Sequence, residues 1–288
     1  MQCLHPIHLK QVDAPDRIVP CGRCAACLVR LRQEWTYRLR EELRVSKDAF
    51  FVTLTYDNEH LPIKEFIEPD TGAIFYDACV SKEDVQKFNK RLRKKLDLDD
   101  YKTRFYLISE YGPKTMRPHY HGVYFFRDSI DRDYFTDCVA DSWQSPNICV
   151  DYVNDERIKY VTEYCLTRKN IPDHLEPNFR LMSNRPGIGY DYIDKMRNWH
   201  LADDSRFYAP DYSGNKCNLP RYYREKIYPK EVIENHSSLL SSSRLDELTK
   251  LFETKGFVYE KWLLDEKAKQ KDYEDRTSRF LDKKLKKL

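Results

Sequence analysis

Two different periodicities of apolar residues divide the first part of the chain. Between residues 24 and 45 apolar side chains recur every three or four positions, which predicts an amphipathic helix. From residue 50 the pattern changes to strict alternation, which predicts a β-strand over Phe50–Tyr56. This alternation predicts one face with Val52, Leu54 and Tyr56 and an opposite face with Phe51, Thr53 and Thr55.

The same patterns predict a run of further elements up to residue 167. Ser81, followed three positions later by Asp84, predicts the start of a helix that continues to Leu96. The remaining predictions are strands at Arg104–Glu110, Arg117–Phe126 and Ile148–Val153, and helices at Arg132–Trp143 and Asp155–Thr167. The order β-α-β-β-α-β-α predicts an α+β fold, an antiparallel sheet with packed helices and the outline of a ferredoxin-like or RNA-recognition-like core.

The predicted elements group into four segments. Residues 1–48 combine cysteines with the amphipathic helix, and residues 49–170 form the α+β core. Residues 171–230 are an extension rich in aromatic and basic side chains, and residues 231–288 form a charged helical tail. Within that tail, residues 243–288 are predicted as long charged helix.

Composition limits the classes of function. The chain has 288 residues, a formal net charge of +3, 21 tyrosines and only 8 glycines. It contains neither a GxxxxGK[ST] nor a GxGxxG motif, so nucleotide hydrolysis through those phosphate-binding loops is unsupported. No apolar run approaches membrane-spanning length and no secretory signal is evident, so a soluble, intracellular protein without a membrane partner is expected.

The predicted strand at residues 117–126 carries two histidines. Side chains at i and i+2 of a strand leave the same face, so His119 and His121 can converge on one cation. Hairpin pairing with the preceding strand is expected to bring Glu110 close to them, because residues 111–113 have turn chemistry. This predicts a metal site, while the simpler interpretation is that both histidines line a polar surface.

Cysteines are concentrated near the amino terminus. Cys21, Cys24 and Cys27 form a CxxCxxC run, and Cys3 is a candidate fourth thiolate. Such short spacings suit a structural Zn²⁺. An iron–sulfur cluster is a second option, although Arg30 and Leu31 stand where a further cysteine is expected. A third interpretation is that these cysteines only pack against the helix.

Two tyrosines lie four residues apart on the last predicted helix of the core. Tyr160 and Tyr164 therefore share one helix face. A phenol has a reference pKa of about 10, so its use as a nucleophile requires a nearby cation or base. Paired tyrosines are also common as packing residues, and that interpretation stays open.

Two basic regions are candidates for DNA binding. The outer face of the helix at residues 81–96 carries a run of Lys and Arg that includes Lys90, Arg91 and Lys94. Near residue 220, Arg221, Tyr222 and Tyr223 combine a cation with aromatic rings, a mixture that suits stacking on bases and pairing with phosphates of a single strand. A solvated helix face and a packed connector are the alternatives.

The combination of His119-Tyr120-His121, Glu110, Tyr160 and Tyr164 resembles the HUH endonucleases that initiate rolling-circle replication. More closely, the chain resembles the replication-initiation proteins of gokushoviruses, which are single-stranded DNA bacteriophages of the microvirus family. The segments that carry this resemblance are residues 20–27, 51–56, 185–189 and 219–223. Only the region after about residue 231 is not covered.

The resemblance implies an activity and a set of roles. His119, His121 and Glu110 would hold Mg²⁺ or Mn²⁺, and Tyr160 or Tyr164 would attack a phosphate of single-stranded DNA at the viral origin. The product would be a 5′-phosphotyrosine link and a free 3′-OH for the host replication machinery in the bacterial cytoplasm. A second tyrosine would allow cleavage and closure to alternate.

One position departs from the family's pattern. A lysine is expected directly before the second tyrosine, and Glu163 stands there instead. A carboxylate beside Tyr164 disfavours its phenolate, so Arg168 or Lys159 becomes the candidate catalytic cation.

Two other functions stay open on the sequence. The cysteine run and the basic segments also suit a non-catalytic zinc-containing nucleic-acid-binding protein. The histidine and carboxylate ligands would equally serve a metal-dependent phosphodiesterase that activates water.

Overall fold

The computed structural model describes residues 3, 5–10, 17–97, 102–112, 114–163, 171–211, 214–254 and 256–285. The strands are β1 (Ile7–Leu9), β2 (Arg17–Val19), β3 (Asp48–Thr55), β4 (Ile63–Ile67), β5 (Ile74–Ala78), β6 (Thr103–Tyr111), β7 (Pro118–Phe126), β8 (Ile148–Tyr152), β9 (Arg180–Met182), β10 (Tyr208–Pro210) and β11 (Lys216–Asn218). The helices are α1 (Ala25–Arg44), α2 (Lys82–Leu96), α3 (Arg132–Trp143), α4 (Asp155–Glu163), α5 (Asp191–Leu201), α6 (Arg221–Ile227), α7 (Lys230–Phe252) and α8 (Tyr259–Leu285).

The chain divides into two compact units. One comprises Trp35–Asp191, and the other combines Met1–Glu34 with Tyr192–Leu288. These bounds differ from the four segments expected from the sequence, because the first and last parts of the chain are grouped in the same unit. A periodicity along the chain carries no information on such distant pairing.

The unit Trp35–Asp191 is built on a five-stranded antiparallel sheet with the strand order β8-β3-β7-β6-β9. The first four strands follow the order 4-1-3-2 when numbered within the core, which is the arrangement of a ferredoxin-like sheet. Strand β9 is added at the β6 edge. The predicted α+β class with an antiparallel sheet and packed helices is confirmed.

One face of this sheet forms the main hydrophobic core with helices α2 and α3. Val52, Leu54 and Tyr56 lie on this face, as their alternation predicts. They are buried with Tyr120 and with the helix residue Phe88. This core fixes the sheet by removing large aromatic side chains from water.

The opposite face of the sheet is covered by α1 and α4. The ring of Trp35 on α1 lies 4.9 Å from that of Tyr106 on β6. Thr36 on α1 and Thr162 on α4 join these two helices through a hydroxyl–hydroxyl hydrogen bond of 2.9 Å. His119 and His121 therefore lie on the face that carries α1 and α4, opposite α2 and α3.

Most element predictions in this unit are confirmed. Helix α3 has the predicted bounds, and the Ser81 hydroxyl caps α2 by accepting a hydrogen bond of 3.2 Å from the Asp84 amide. The Asp84 carboxylate does not return to the cap, because it accepts a hydrogen bond of 2.9 Å from the Tyr56 hydroxyl instead. Helix α4 is described as far as Glu163, and the rest of its predicted length lies outside the described residues.

Two expectations from the sequence are wrong. The segment before α2, expected as a loop, contains the β4–β5 hairpin, which is stabilised by stacking of Phe66 on Phe75 at 5.6 Å. The tail is two helices, because α7 ends at Phe252 and the chain turns through Gly256 at a φ of 84° before α8. Phe252 packs edge-on against Phe257 at 4.9 Å within that turn.

The other unit has its own aromatic core. Tyr192 and Tyr223 stack at 4.5 Å, and the Tyr192 hydroxyl lies 2.9 Å from His200 Nε2. Phe207 stacks on Tyr228 at 4.4 Å. The segment at residues 206–229 thus packs as a connector with buried rings.

Candidate functional site

The hairpin of β6 and β7 brings three metal-ligating side chains together. Glu110 pairs with His119 and Ile108 pairs with His121, so all four residues share a sheet face. Glu110 Oε2 lies 3.1 Å from His119 Nε2 and 3.2 Å from His121 Nε2. The three ligand atoms lie within 4.8 Å of one another.

Both imidazole rings are held by their other nitrogen. His119 Nδ1 lies 3.1 Å from the Arg117 carbonyl oxygen, and His121 Nδ1 lies 3.1 Å from the Thr53 hydroxyl. These contacts turn both Nε2 atoms toward Glu110. Metal-binding histidines in proteins are oriented in this way, with Nδ1 bonded to a carbonyl or hydroxyl and Nε2 turned to the ion.

Burial and the carboxylate shift the two histidines in opposite directions. Burial lowers the pKa of His121 below its ordinary value, and the Glu110 hydrogen bond opposes that shift only in part. Burial also acts to lower the pKa of His119, but the hydrogen bond and charge of Glu110 outweigh it, so this pKa is raised. The site therefore contains one imidazole that favours its neutral form and one that favours its charged form.

The Tyr160 phenol projects from α4 into the same group. Its hydroxyl donates a hydrogen bond of 3.2 Å to Glu110 Oε2 and lies 3.3 Å from His121 Nε2. Ile158 and Val161 on α4 are fully buried, and their packing sets the position of the helix on the sheet. A phenol, two imidazoles and a carboxylate thus meet at one point of the sheet face.

Three further residues complete this site, and sequence reasoning did not select them. Phe51 stacks on His121 at 5.6 Å, and the Arg157 guanidinium lies 5.5 Å from the centre of the Phe51 ring. Thr53 holds His121, as described above. The alternating pattern places Phe51 and Thr53 on one face, but the pairing of β3 with β7 that brings them to His121 is not encoded in any local pattern.

The donor set fits a divalent cation. Two imidazole nitrogens and one carboxylate oxygen on one side leave the remaining coordination positions for water or a phosphate oxygen. Both rings are already oriented by Arg117 and Thr53, so binding would require little rearrangement of these ligands. Imidazole and carboxylate ligands are compatible with several divalent ions, and the donor set alone does not choose among them.

A second group of ligands is formed by the four predicted cysteines. The sulfur atoms of Cys3, Cys21, Cys24 and Cys27 lie within 4.8 Å of one another, and all four are free thiols. Hydrogen bonding from the Arg23 amide lowers the pKa of Cys21 to about 6, and burial raises the pKa of Cys27 to about 12. This group belongs to the unit that contains Met1–Glu34.

The candidate catalytic cations and the second tyrosine have different outcomes. Tyr164 and Arg168 lie outside the described residues. Lys159 is exposed and forms an ion pair of 2.6 Å with Asp155, which is also bound by Arg40 at 2.5 Å. The ammonium of Lys159 is therefore engaged one turn before Tyr160.

The predicted DNA-binding residues of α2 lie on the side of the sheet away from the histidines. Lys90 and Lys94 are exposed. Arg91 is turned toward α3, because its Nε donates a hydrogen bond of 2.7 Å to the Ser142 carbonyl oxygen. A nucleotide held at Glu110 would not reach this helix directly.

Residues 221–223 separate into exposed and buried positions. Arg221 is exposed and pairs with Glu225 at 2.5 Å, and Tyr222 is half-buried. Tyr223 is fully buried and stacked on Tyr192, so the prediction that its ring stacks on a base is wrong. Alternation of aromatic and basic residues could not distinguish a core ring from a surface ring.

Sequence comparisons connect this site to phage replication. The family model described as replication-associated protein ORF2 matches residues 49–169, which include Glu110, His119, His121 and Tyr160. Replication-associated protein VP4 of Bdellovibrio phage phiMH2K is 29% identical over 248 residues, covering 80% of this chain and 75% of the relative. The predicted resemblance to microvirus replication initiators is confirmed.

Two further relatives carry similar names. Replication-associated protein ORF2 of Spiroplasma virus 4 is 28% identical over 227 residues, covering 73% of this chain and 67% of the relative. Replication-associated protein ORF4 of Chlamydia phage 1 is 26% identical over 241 residues, covering 76% of this chain and 55% of the relative. These relatives of the replication-associated family support a role in phage DNA replication.

Solved structures give weaker similarities. ORF119 of Sulfolobus islandicus rod-shaped virus 1 has a TM-score of 0.27 at 19% identity, covering 47% of this chain and 95% of the other. The amino-terminal nuclease domain of minute virus of mice non-structural protein 1 has a TM-score of 0.23 at 8% identity, covering 59% and 83%. Both scores are too low to transfer a function. Among the described residues, no helix is both long and apolar enough to cross a membrane.

Proposed function

We propose that this protein nicks and rejoins single-stranded DNA at a phage replication origin through a covalent tyrosine intermediate. The observation that carries the proposal is the position of the Tyr160 hydroxyl, 3.2 Å from Glu110 Oε2 and 3.3 Å from His121 Nε2. A nucleophile and a group of metal ligands at one point are the parts that phosphodiester transfer requires.

Glu110, His119 and His121 are the residues that would hold Mg²⁺ or Mn²⁺. Such an ion, when bound, polarises the scissile phosphate as a Lewis acid and orients it for in-line attack. The side chains themselves are pre-positioned, because Arg117 and Thr53 fix the rings and the hairpin register fixes the carboxylate. Pre-positioning lowers the reorganisation needed to reach the reactive geometry.

Tyr160 is the proposed nucleophile. Its oxygen attacks phosphorus, an oxygen–phosphorus bond forms, and the bond from phosphorus to the 3′ oxygen of the preceding nucleotide breaks. The phenolic proton is held toward Glu110 Oε2, which accepts its hydrogen bond in this structure. The leaving 3′ oxygen takes a proton from solvent and provides the 3′-OH that host polymerase would extend.

Rejoining is the reverse of the same exchange. A 3′-OH attacks the phosphotyrosine, the DNA phosphodiester forms again, and the tyrosine oxygen takes a proton. No energy source is required, because one phosphodiester is exchanged for another. Tyr164, four residues after Tyr160, is the candidate for a second transfer, with Arg168 or Lys159 as the cation that would favour its phenolate.

DNA would be bound mainly through its phosphates. Lys90, Lys94 and Arg221 are exposed cations, and the half-buried Tyr222 is a candidate stacking residue. In this proposal they contribute sequence-independent affinity that falls with added salt. The partners are single-stranded origin DNA and the host replication machinery, and the site of action is the cytoplasm of the bacterial host.

Covalent capture tests this proposal. A single-stranded origin oligonucleotide, labelled on the 3′ side of the nick, is incubated with protein and Mn²⁺ and then denatured. Transfer of the label to the protein is expected, and removal of the metal with a chelator before mixing should prevent it. The matched reaction with the label on the 5′ side of the nick should release a labelled 3′-OH product.

The outcomes separate this proposal from the other two functions. Cleavage without a protein-bound label would identify a phosphodiesterase that uses water. Salt-sensitive binding with neither cleavage nor label would identify a nucleic-acid-binding protein without catalysis. Either result would overturn the strand-transfer proposal.

A further inference from the structure

The four amino-terminal thiols have the spacing of a tetrahedral metal site. Cys3 Sγ and Cys24 Sγ are 3.9 Å apart, and all four sulfurs lie within 4.8 Å of one another. Neighbouring sulfurs around a tetrahedral Zn²⁺ are about 3.8 Å apart, given Zn–S bonds of about 2.3 Å. The separation of 3.9 Å is also far too long for a disulfide bond.

Backbone amides around the cluster point at the sulfur atoms. The Cys21 amide donates to Cys3 Sγ at 3.2 Å, and the Arg23 and Cys24 amides donate to Cys21 Sγ at 3.4 and 3.3 Å. Amide donors stabilise the negative charge of a thiolate. Gly22 has a φ of 71°, a conformation that favours glycine and allows this tight turn between Cys21 and Cys24.

The start of α1 adds favourable electrostatics. Helix α1 begins at Ala25, so Cys24 and Cys27 lie at its amino-terminal end, and its first turn contains no acidic residue. The partial positive charge of a helix amino terminus favours thiolates. Four thiolates with one Zn²⁺ carry a net charge of −2, which the amide donors and the helix terminus help to offset.

The cluster also contacts the last helix. Tyr273 on α8 packs against the cysteines, and the next residue, Glu274, pairs with His5 Nε2 at 3.2 Å. His5 is therefore bound to a carboxylate and is not one of the four ligands. Residues from three separate parts of the sequence meet at this point of the unit.

From this geometry we propose that Cys3, Cys21, Cys24 and Cys27 bind one structural Zn²⁺, which holds the amino-terminal segment, the start of α1 and helix α8 together. On binding, each thiol loses one proton to solvent and each sulfur donates one electron pair to the ion. The role is separate from DNA cleavage, and it does not depend on the function proposed above.

Metal analysis tests the ligands. Purified protein should contain one zinc per chain that persists when His119 and His121 are both replaced by alanine. The variants Cys21→Ser and Cys27→Ser should each lose that zinc, whereas Cys149→Ser, at an exposed cysteine outside the group, should keep it. Zinc retained in both ligand variants, or iron with acid-labile sulfide in place of zinc, would overturn the proposal.

A second measurement uses the unmodified chain, in case the cysteine variants do not fold. A mercurial reagent added stepwise should release one zinc per chain as the clustered thiols react, detected with a colorimetric zinc indicator. Replacement of zinc by Co²⁺ should give the visible absorption of a tetrahedral thiolate complex. Thiols that react without any metal release, together with no cobalt spectrum, would contradict the assignment.

Hydrogen exchange tests the connection to α8. Removing the zinc should increase amide exchange both in residues 17–27 and in α8 around Tyr273. Tyr273→Ala should increase exchange in α8 while the zinc content remains one per chain, and Tyr259→Ala, at an exposed ring of the same helix, should leave exchange near Tyr273 unchanged. Unchanged α8 exchange after zinc removal would overturn the proposed link to this helix.

Discussion

The Tyr160 hydroxyl donates a hydrogen bond of 3.2 Å to Glu110 Oε2. The two residues are 50 positions apart, one on α4 and the other on β6. This bond joins the proposed nucleophile to a proposed metal ligand. The predictions below test that relationship and the parts of the fold that support it.

Removal of the Tyr160 hydroxyl is expected to abolish covalent capture. Tyr160→Phe should lower the rate of labelled-adduct formation by at least about 10³-fold, because no attacking oxygen remains at the ligand group. Tyr152→Phe, at an exposed ring of β8, is the control and should react at the unmodified rate. If Tyr160→Phe forms adduct normally and Tyr164→Phe does not, the nucleophile is Tyr164.

Loss of the Thr53 hydroxyl is expected to weaken metal binding. Thr53→Val removes the group 3.1 Å from His121 Nδ1 and should lower the affinity for Mn²⁺ by about 10- to 100-fold, as measured by titration. Thr55→Val, two residues along the same strand, should change the affinity little, because His119 Nδ1 is held by the Arg117 carbonyl oxygen. Equal losses in both variants would refute a specific role for Thr53.

A buried carboxylate on α1 is expected to be essential for stability. Glu42 is fully buried, accepts hydrogen bonds from Arg127 Nη2 at 2.7 Å and the Gly189 amide at 2.6 Å, and lies 3.6 Å from Arg104 Nε. Glu42→Gln removes the charge that neutralises these cations and should lower the free energy of unfolding by about 3 kcal/mol.

Urea denaturation measures this effect, with Glu83→Gln as the control. Glu83 pairs with Lys87 on the exposed surface of α2, so its loss should leave the denaturation midpoint unchanged. A midpoint for Glu42→Gln equal to that of the unmodified protein would show that the buried network contributes no net stability.

Space on the core side of the histidine strand is expected to require glycine at position 122. A Cβ at Gly122 would lie 2.9 Å from Tyr124 Cε2 and 3.4 Å from Leu107 Cδ1, both in the packed core. Gly122→Ala should therefore lower the free energy of unfolding by about 1–3 kcal/mol. Gly112→Ala, whose Cβ would meet nothing closer than 3.5 Å, should change it by less than about 0.5 kcal/mol, which thermal and urea unfolding can both resolve.

Local features of the site were predictable from the sequence. The i, i+2 spacing of His119 and His121 requires only that the segment is a strand, and the turn before it brings Glu110 alongside. The bounds of α3 and the Ser81 cap of α2 were also predictable, since they depend on residues within one or two turns of helix. These inferences hold because helix and strand periodicities are properties of the local backbone.

Other features were decided only by the tertiary structure. The contact of Thr53 with His121 depends on the pairing of β3 with β7, and the position of the Tyr160 hydroxyl depends on how α4 packs on the sheet. The burial of Tyr223 and the turn of Arg91 toward Ser142 likewise follow from neighbours distant in sequence. Sequence patterns could not supply them, because they record which faces are apolar and not which surfaces meet.

The sequence by itself therefore determined the elements, the α+β class and the residue types available for chemistry. The tertiary structure decided which of those residues lie within bonding distance: Glu110, His119, His121 and Tyr160 on the sheet, and Cys3 with the later cysteines in the other unit. The physical reason is that these contacts join segments separated by up to 50 residues, and their geometry is set by packing of the folded chain.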